Sequence, residues 1–131
     1  MGKANASGNT ARVILVVDIG NTTTRFGIAS DGELLTTWEV TTSHAQTADE
    51  AWFMLAGYLN FKPSAGSENE IPWPQDGIIS SVVPSLTTAW TQAVARLTAG
   101  NGRPKVLEHR VGRIYTLLTS GKLLQLAANF V

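Results

Sequence analysis

The stretch from Val13 to Ile28, VILVVDIGNTTTRFGI, constrains this chain more than any other. Five apolar or β-branched residues, Val13 to Val17, run straight into Asp18, Gly20, Asn21 and three threonines, and a second β-type run follows from Arg25 to Ile28. β-Branched runs punctuated by Gly and Asn favour hairpin geometry over helix, so the pattern predicts a buried strand, a tight turn and a returning antiparallel strand. At a hairpin tip some backbone N–H groups lack a ladder partner, and Gly20 removes a Cβ that would hold a bulky anion away. Thr22, Thr23 and Thr24 add hydroxyl donors, and Arg25 adds a charge if its side chain turns the same way. Asp18 would repel a bare phosphate, so it fits only with a divalent cation between carboxylate and phosphate, held mostly through water as Mg²⁺ prefers. The spacing D-x-G-x-T thus reads as a metal-phosphate cradle on a hairpin, unlike the P-loop, whose glycines lead into a helix N-terminus. An ordinary hairpin with Gly and Asn in its turn would carry the same short pattern.

A chain of 131 residues has room for one core. Its apolar fraction of 44% is that of a soluble globular protein. Ten basic residues balance ten acidic ones, which gives no ground for a nucleic-acid or membrane partner. Without cysteine there is neither a disulfide framework nor a thiolate metal site, a composition compatible with a reducing cytoplasm. The longest apolar run, Val13 to Val17, is far short of the roughly 20 residues that span a bilayer. Residues 1–12 are small and polar, lack the apolar stretch of a secretory signal, and read as a disordered lead-in. The sequons at Asn5 and Asn21 are read as chance.

Asp31-Gly32 is a hairpin signal, and a third strand is expected from Glu33 to Thr41, with Leu35, Trp38 and Val40 only partly alternating. Thr47 and Glu50 have the spacing of a capping box, with Asp49 in the first turn, so a helix should begin near Ala48. Trp52, Leu55, Ala56 and Leu59 form its expected apolar stripe, ending near Asn60. Lys62 to Gln75 holds three of the five prolines and reads as a surface loop, with Trp73 packed against the body. Gly77 to Val83 resembles a parallel strand stopped by Pro84, in which Ser80 and Ser81 serve as sheet residues. Ser85 is the expected N-cap of a second helix, whose face carries Leu86, Ala89, Trp90, Ala93, Val94 and Leu97 and which Gly100 and Gly102 end. Lys105 to Glu108 suits a short strand, and the apolar pattern of residues 109–131 is a loose helical one that Gly121 interrupts. The order is β-β-β-α-β-α-β, the α/β sheet of the ribonuclease-H-like kind.

Three stretches in the right order, VVDIGNTTTRFGI at 16–28, DGELLTTW with QTADE at 31–38 and 46–50, and IISSVVP at 78–84, resemble the N-terminal half of a type III pantothenate kinase. That family belongs to the acetate kinase, sugar kinase, Hsp70 and actin superfamily. The resemblance covers Val13 to about Lys105 and places a kinase domain at 13–108 with a divergent segment at 109–131. It implies an actin-like ATPase fold, incomplete relative to the two-domain family fold, and ATP-dependent phosphorylation of pantothenate, the first step of coenzyme A synthesis. It further implies a cytoplasmic homodimer that uses Mg²⁺ and a monovalent cation, K⁺ or NH₄⁺. Carried over, Asp18, Ile19, Gly20, Asn21, Thr22, Thr23, Thr24 and Arg25 would form the first phosphate loop, with Asp18 holding magnesium through water. The family's G-P-G and G-A-D-R segments, the latter with its general base, are absent where this chain reads VLEHRVGRIYTLLTSG from Val106. The second D-x-G-T loop and the adenosine segment are absent too. The loss of resemblance past Leu107 is what a truncated or frame-shifted product would show.

Where relatives carry a basic residue ahead of T-x-D-E this chain has Gln46, and His44 reads as a solvated loop residue. Two other classes remain in view. A regulatory module would draw on the basic cluster Arg103, Lys105, Arg110 and Arg113, which otherwise reads as solvated surface. A metal-dependent nuclease would need carboxylates converging on Asp18 from Glu39, Asp49 and Glu50, and Glu39 is not expected to face it.

Overall fold

A computed structural model of the chain describes residues 13–31, 33–60 and 72–98, together with the backbone of residues 105–108. The elements are β1 (Val13–Ile19), β2 (Thr23–Ser30), β3 (Glu33–Thr41), α1 (Ala48–Asn60), β4 (Asp76–Ser81), α2 (Pro84–Leu97) and β5 (Lys105–Glu108). The five strands form one sheet in the order β3-β2-β1-β4-β5. β1 lies antiparallel to β2 and parallel to β4, and β5 is parallel to β4. The expectations for the lead-in, most of the proline-rich loop, Gly100, Gly102 and residues 109–131 lie outside the described residues, as do Arg103, Arg110 and Arg113.

β1 is apolar at nearly every position because both of its faces are covered. Leu15, Val17 and Ile19 join Phe26, Ile28 and Ile79 in the main core under α1 and α2. Ile14 and Val16 meet Ile78 on the other face, with Leu34 against them. Phe26 anchors the main core, its ring centroid 5.5 Å from that of Trp38, 5.4 Å from Tyr58 and 6.4 Å from Trp90. Such ring clusters combine large apolar burial with favourable quadrupole geometry.

Local rules account for most boundaries. The β2–β3 hairpin pairs Ser30 with Glu33 around Asp31-Gly32, and Asp31 takes the left-handed backbone (φ 53°) that such a turn demands. The capping box closes reciprocally: Thr47 N–H donates to Glu50 Oε1 (2.9 Å) and Glu50 N–H donates to Thr47 Oγ1 (3.1 Å).

One expectation is explained and two are corrected. The broken alternation of β3 is a β-bulge: Ile28 pairs with Thr36 but Ala29 with Leu34, which leaves Leu35 as the extra residue, 48% exposed. The bulge lets Leu34 pack on one face while Trp38 and Val40 pack on the other. Of the expected stripe of α1, Leu55 and Leu59 are buried and Trp52 and Ala56 are half-buried against the same core; Ala51 is the buried residue it left out, and Trp52 also lies under the Arg96 guanidinium, 4.1 Å from its ring centroid. α2 starts with Pro84 at its first turn after Val83 as N-cap, not at Ser85. Proline suits that position because its missing N–H would have no helical partner. Ser81 takes the local capping role, accepting from Val83 N–H at 3.0 Å. Among the described residues no helix is long and apolar enough to cross a membrane.

Candidate functional site

Strand alternation decides where the polar residues of the β1–β2 hairpin point. Asp18 pairs with Arg25 across β2 and with Ser80 across β4, and Arg25 pairs in turn with Glu39 on β3. Partners in register share a face, so Asp18, Arg25, Glu39 and Ser80 form a polar row on the side of Ile14 and Val16, away from the helices. Thr24, opposite Ile19, belongs to the helix side.

Asp18 is the anomalous member of that row. It is only 7% exposed, and among the described residues none donates a hydrogen bond to its Oδ1. Burial pushes its carboxyl up to about 6, while the Arg25 guanidinium pulls the other way. Arg25 does not relieve it by direct contact, because its Nε donates to Glu39 Oε1 at 2.9 Å. Both partners of that pair are well exposed, so it adds little to stability. Glu39 therefore shares the face of Asp18, contrary to expectation, but lies two strands away and is engaged by Arg25. Asp49 pairs with Arg96 and Glu50 belongs to the capping box, so neither joins Asp18. Among the described residues no three potential metal ligands cluster.

The turn itself is Gly20, Asn21 and Thr22, and Thr23 and Thr24 already belong to β2. Gly20 N–H donates to Thr23 C=O at 3.0 Å and closes the turn, so it is not an open donor. A Cβ on Gly20 would stand 2.8 Å from that same carbonyl oxygen, which makes glycine a requirement of the turn rather than of a ligand. Asn21 and Thr22 are exposed, and among the described residues no acceptor takes their N–H groups. Thr24 is 1% exposed, its Oγ1 2.8 Å from Thr42 Oγ1. Thr42 Oγ1 spends its single hydrogen on Gly20 C=O (2.7 Å), so Thr24 must be the donor in the pair. Its hydroxyl is a buried structural link, not a ligand donor.

The segment after β3 was not legible as part of the site. Thr42 N–H donates to Thr22 C=O (2.8 Å), and His44 Nε2 bonds Asn21 C=O (2.9 Å). His44 is exposed as expected of a loop residue, yet it touches the turn. Gln46 ties the segment to the helices, its Oε1 accepting from Trp90 Nε1 at 3.1 Å. Trp73 is 44% exposed, but its Nε1 donates to Leu97 C=O at 2.7 Å, so it is packed at one edge. The Ser81 hydroxyl donates to Val83 C=O and accepts from Val83 N–H, and Ser80 is fully buried beside Asp18 in register.

Sheet, helices and turn define a mixed α/β domain whose polar candidates gather at the end of β1. Among known proteins, a family model described as type III pantothenate kinase matches residues 14–113, beyond the limit near Leu107 that the sequence motifs suggest. The chain belongs to that family. It is 33% identical over 84 residues to the type III pantothenate kinase of Bifidobacterium animalis subsp. lactis, which covers 64% of this chain and 31% of that protein. The enzyme of the same description from Finegoldia magna is 34% identical over 84 residues (64% and 30% covered), and that from Desulfosudis oleivorans 38% over 74 residues (56% and 27%). The chain thus spans about a third of the length of these curated relatives, and the resemblance is to an N-terminal part. Among solved structures, a study of the Aquifex aeolicus PPX-GPPA enzyme is similar over 75% of this chain and 36% of that one, at 16% identity and a TM-score of 0.39.

Proposed function

We propose that residues 13–108 form the ribonuclease-H-like, actin-like N-terminal domain of a type III pantothenate kinase and carry its first ATP phosphate site. The observation that supports this most is the pairing, at one end of β1, of exposed turn N–H groups at Asn21 and Thr22 with a buried carboxylate whose Oδ1 lacks a donor. An orphaned carboxylate oxygen fits a hard divalent cation, so Asp18 would hold Mg²⁺ through water. Bound there, the cation supplies charge neutralisation for the phosphates. Asn21 and Thr22 then bind phosphate oxygens through backbone N–H, with the side chains of Thr22 and Thr23 at the rim. Ile19 and Gly20 shape the turn, Thr24 braces it from inside, and Arg25 tempers the charge of Asp18.

In the complete reaction the γ-phosphoryl group of ATP passes to the pantothenate hydroxyl, opening coenzyme A synthesis. A monovalent cation (K⁺ or NH₄⁺), a homodimer and a cytoplasmic setting complete the proposal; it includes neither nucleic acid nor membrane. A second reading, nucleotide binding or regulation without turnover, is favoured by the sequence from Val106, where neither G-P-G nor G-A-D-R is found. Positioning and electrostatics carry phosphoryl transfer, so a phosphate loop without a positioned general base does little chemistry.

An assay of K⁺-dependent phosphorylation of pantothenate, paired with an NMR titration by ATP and Mg²⁺, separates the readings. Turnover that Asp18→Asn abolishes supports the kinase. Shifts at Gly20 to Thr24 without turnover support the binding module. Neither shifts nor turnover at millimolar ATP refutes both.

A further inference from the structure

The three consecutive carbonyls of the turn are all held by one segment. Gly20 C=O accepts from Thr42 Oγ1 (2.7 Å), Asn21 C=O from His44 Nε2 (2.9 Å) and Thr22 C=O from Thr42 N–H (2.8 Å). Among the described residues every peptide bond is trans. In a trans peptide the carbonyl and the following N–H point in opposite directions. Drawing these carbonyls toward the segment therefore aims the N–H groups of Asn21, Thr22 and Thr23 away from it. Successive N–H groups aimed outward make an anion-binding concavity, from which the repulsive carbonyl oxygens have been withdrawn.

We infer that Thr42 is the positioning residue of this turn, and that the segment Thr42 to Gln46 is a strap fixing the outward aim of its N–H groups toward a phosphate. The choice of phosphate as the anion rests on the function proposed above; the aim of the amides does not. Thr42 supplies two of the three bonds, and its hydroxyl is itself fixed by the donor Thr24 Oγ1 at 2.8 Å. The strap is anchored at its far end on both helices, Gln46 Oε1 accepting from Trp90 Nε1 and Gln46 Nε2 lying 4.0 Å from Met54 Sδ. The turn is thereby fastened to the helix pair. Thr42 touches no reacting group in this scheme and acts through the turn.

The test compares Thr42→Val, which keeps the shape and the backbone bond but removes the hydroxyl, with Thr42→Ser, which restores the hydroxyl. Amide hydrogen exchange at Gly20 and Thr42, whose N–H groups bond Thr23 C=O and Thr22 C=O, and ¹⁵N shifts at Asn21 to Thr23 are read with and without ATP and Mg²⁺. In Thr42→Val the Asn21 to Thr23 amides should shift, the bonded amides of Gly20 and Thr42 should exchange faster, and ATP affinity should fall by about tenfold, because Gly20 C=O and the buried Thr24 hydroxyl both lose their partner. In Thr42→Ser exchange and affinity should return to within about twofold of the parent, a rescue that a merely space-filling threonine would not show. Parent-like exchange and affinity in Thr42→Val would overturn the inference. Should Thr42→Val fail to fold, His44→Ala, whose side chain is exposed, replaces it. Faster exchange at Thr42, whose N–H bonds Thr22 C=O, then supports the strap, and unchanged exchange overturns it. If the parent binds no ATP, the proposed function fails, while the amide shifts and exchange still decide whether Thr42 sets the turn.

Discussion

Asp18→Asn should make the folded chain more stable at neutral pH and remove one component of its pH dependence. Burial raises this carboxyl from an ordinary 3.8 to about 6, with Arg25 opposing. The folded state therefore holds the proton more tightly than the unfolded one. The stability this contributes is complete below 3.8 and is lost as pH rises through about 6. The separation of about two pH units, at about 1.36 kcal/mol each, amounts to about 3 kcal/mol. Asn cannot ionise, so the variant escapes that loss; its amide hydrogens add an offset that does not vary with pH. Urea unfolding of parent and variant from about pH 3 to about pH 8 isolates the effect, since every other titrating group is shared. The variant's advantage should grow by about 3 kcal/mol across the window and level off above it. A difference independent of pH would refute the claim that the burial of Asp18 outweighs the compensation by Arg25.

Gly27→Ala should weaken the sheet where β2 meets β3, because the new Cβ would stand 2.5 Å from Thr36 C=O and 3.0 Å from Thr37 Cγ2. A backbone carbonyl cannot swing aside as a side chain can, so a loss of about 1–3 kcal/mol is expected in chemical denaturation, and parent-like stability would count against the register. Thr47→Ala should cost about 1 kcal/mol by removing the acceptor for Glu50 N–H, with Thr47→Ser restoring most of it in thermal melts. The same substitution should let the Glu50 carboxyl, which the Thr47 backbone and side chain hold below its ordinary value, move part of the way back.

What was legible in the sequence depended on signals local in the chain. The continuous apolar run of β1 is read within five residues, the Asp31-Gly32 turn and the Thr47 to Glu50 cap rest on contacts within a few residues, and each stands in the fold. The expected helix stripe left out Ala51, and Trp52, read as core, is half-buried against it because it also lies under Arg96, 44 positions away. The strap was missed for the same reason. Thr42 and Gly20 are 22 residues apart, and nothing in S-H-A-Q marks a segment that grips a turn. Thr24 was counted among the turn donors because three threonines in a row look equivalent. Position makes them different: alternation turns Thr23 and Thr24 to opposite faces and sends Thr24 inside, while Thr22 lies in the turn before β2 and stays exposed.

Asp18 itself bears on whether the end of β1 is a site at all. Its neighbours in the strand, Val16 and Val17 before it and Ile19 after it, are apolar and buried, and an apolar residue at position 18 would continue that pattern without the ionisation penalty. Folding thus gives no account of a carboxylate there. A buried group that destabilises the fold by about 3 kcal/mol at neutral pH is the kind of local conflict that folds carry at functional positions. The adjacent turn shows the opposite economy, with Thr24, Thr42 and Gly20 in a satisfied chain of hydrogen bonds. A strained carboxylate beside an over-determined backbone is what binding a cation and an anion together requires. The first gains by acquiring a positive partner, and the second loses little entropy on meeting a negative one. In the parent, Mg²⁺ with ATP should therefore recover part of the stability that Asp18 withholds at neutral pH. The same additions should do much less for Asp18→Asn, because only the carboxylate has a penalty to relieve.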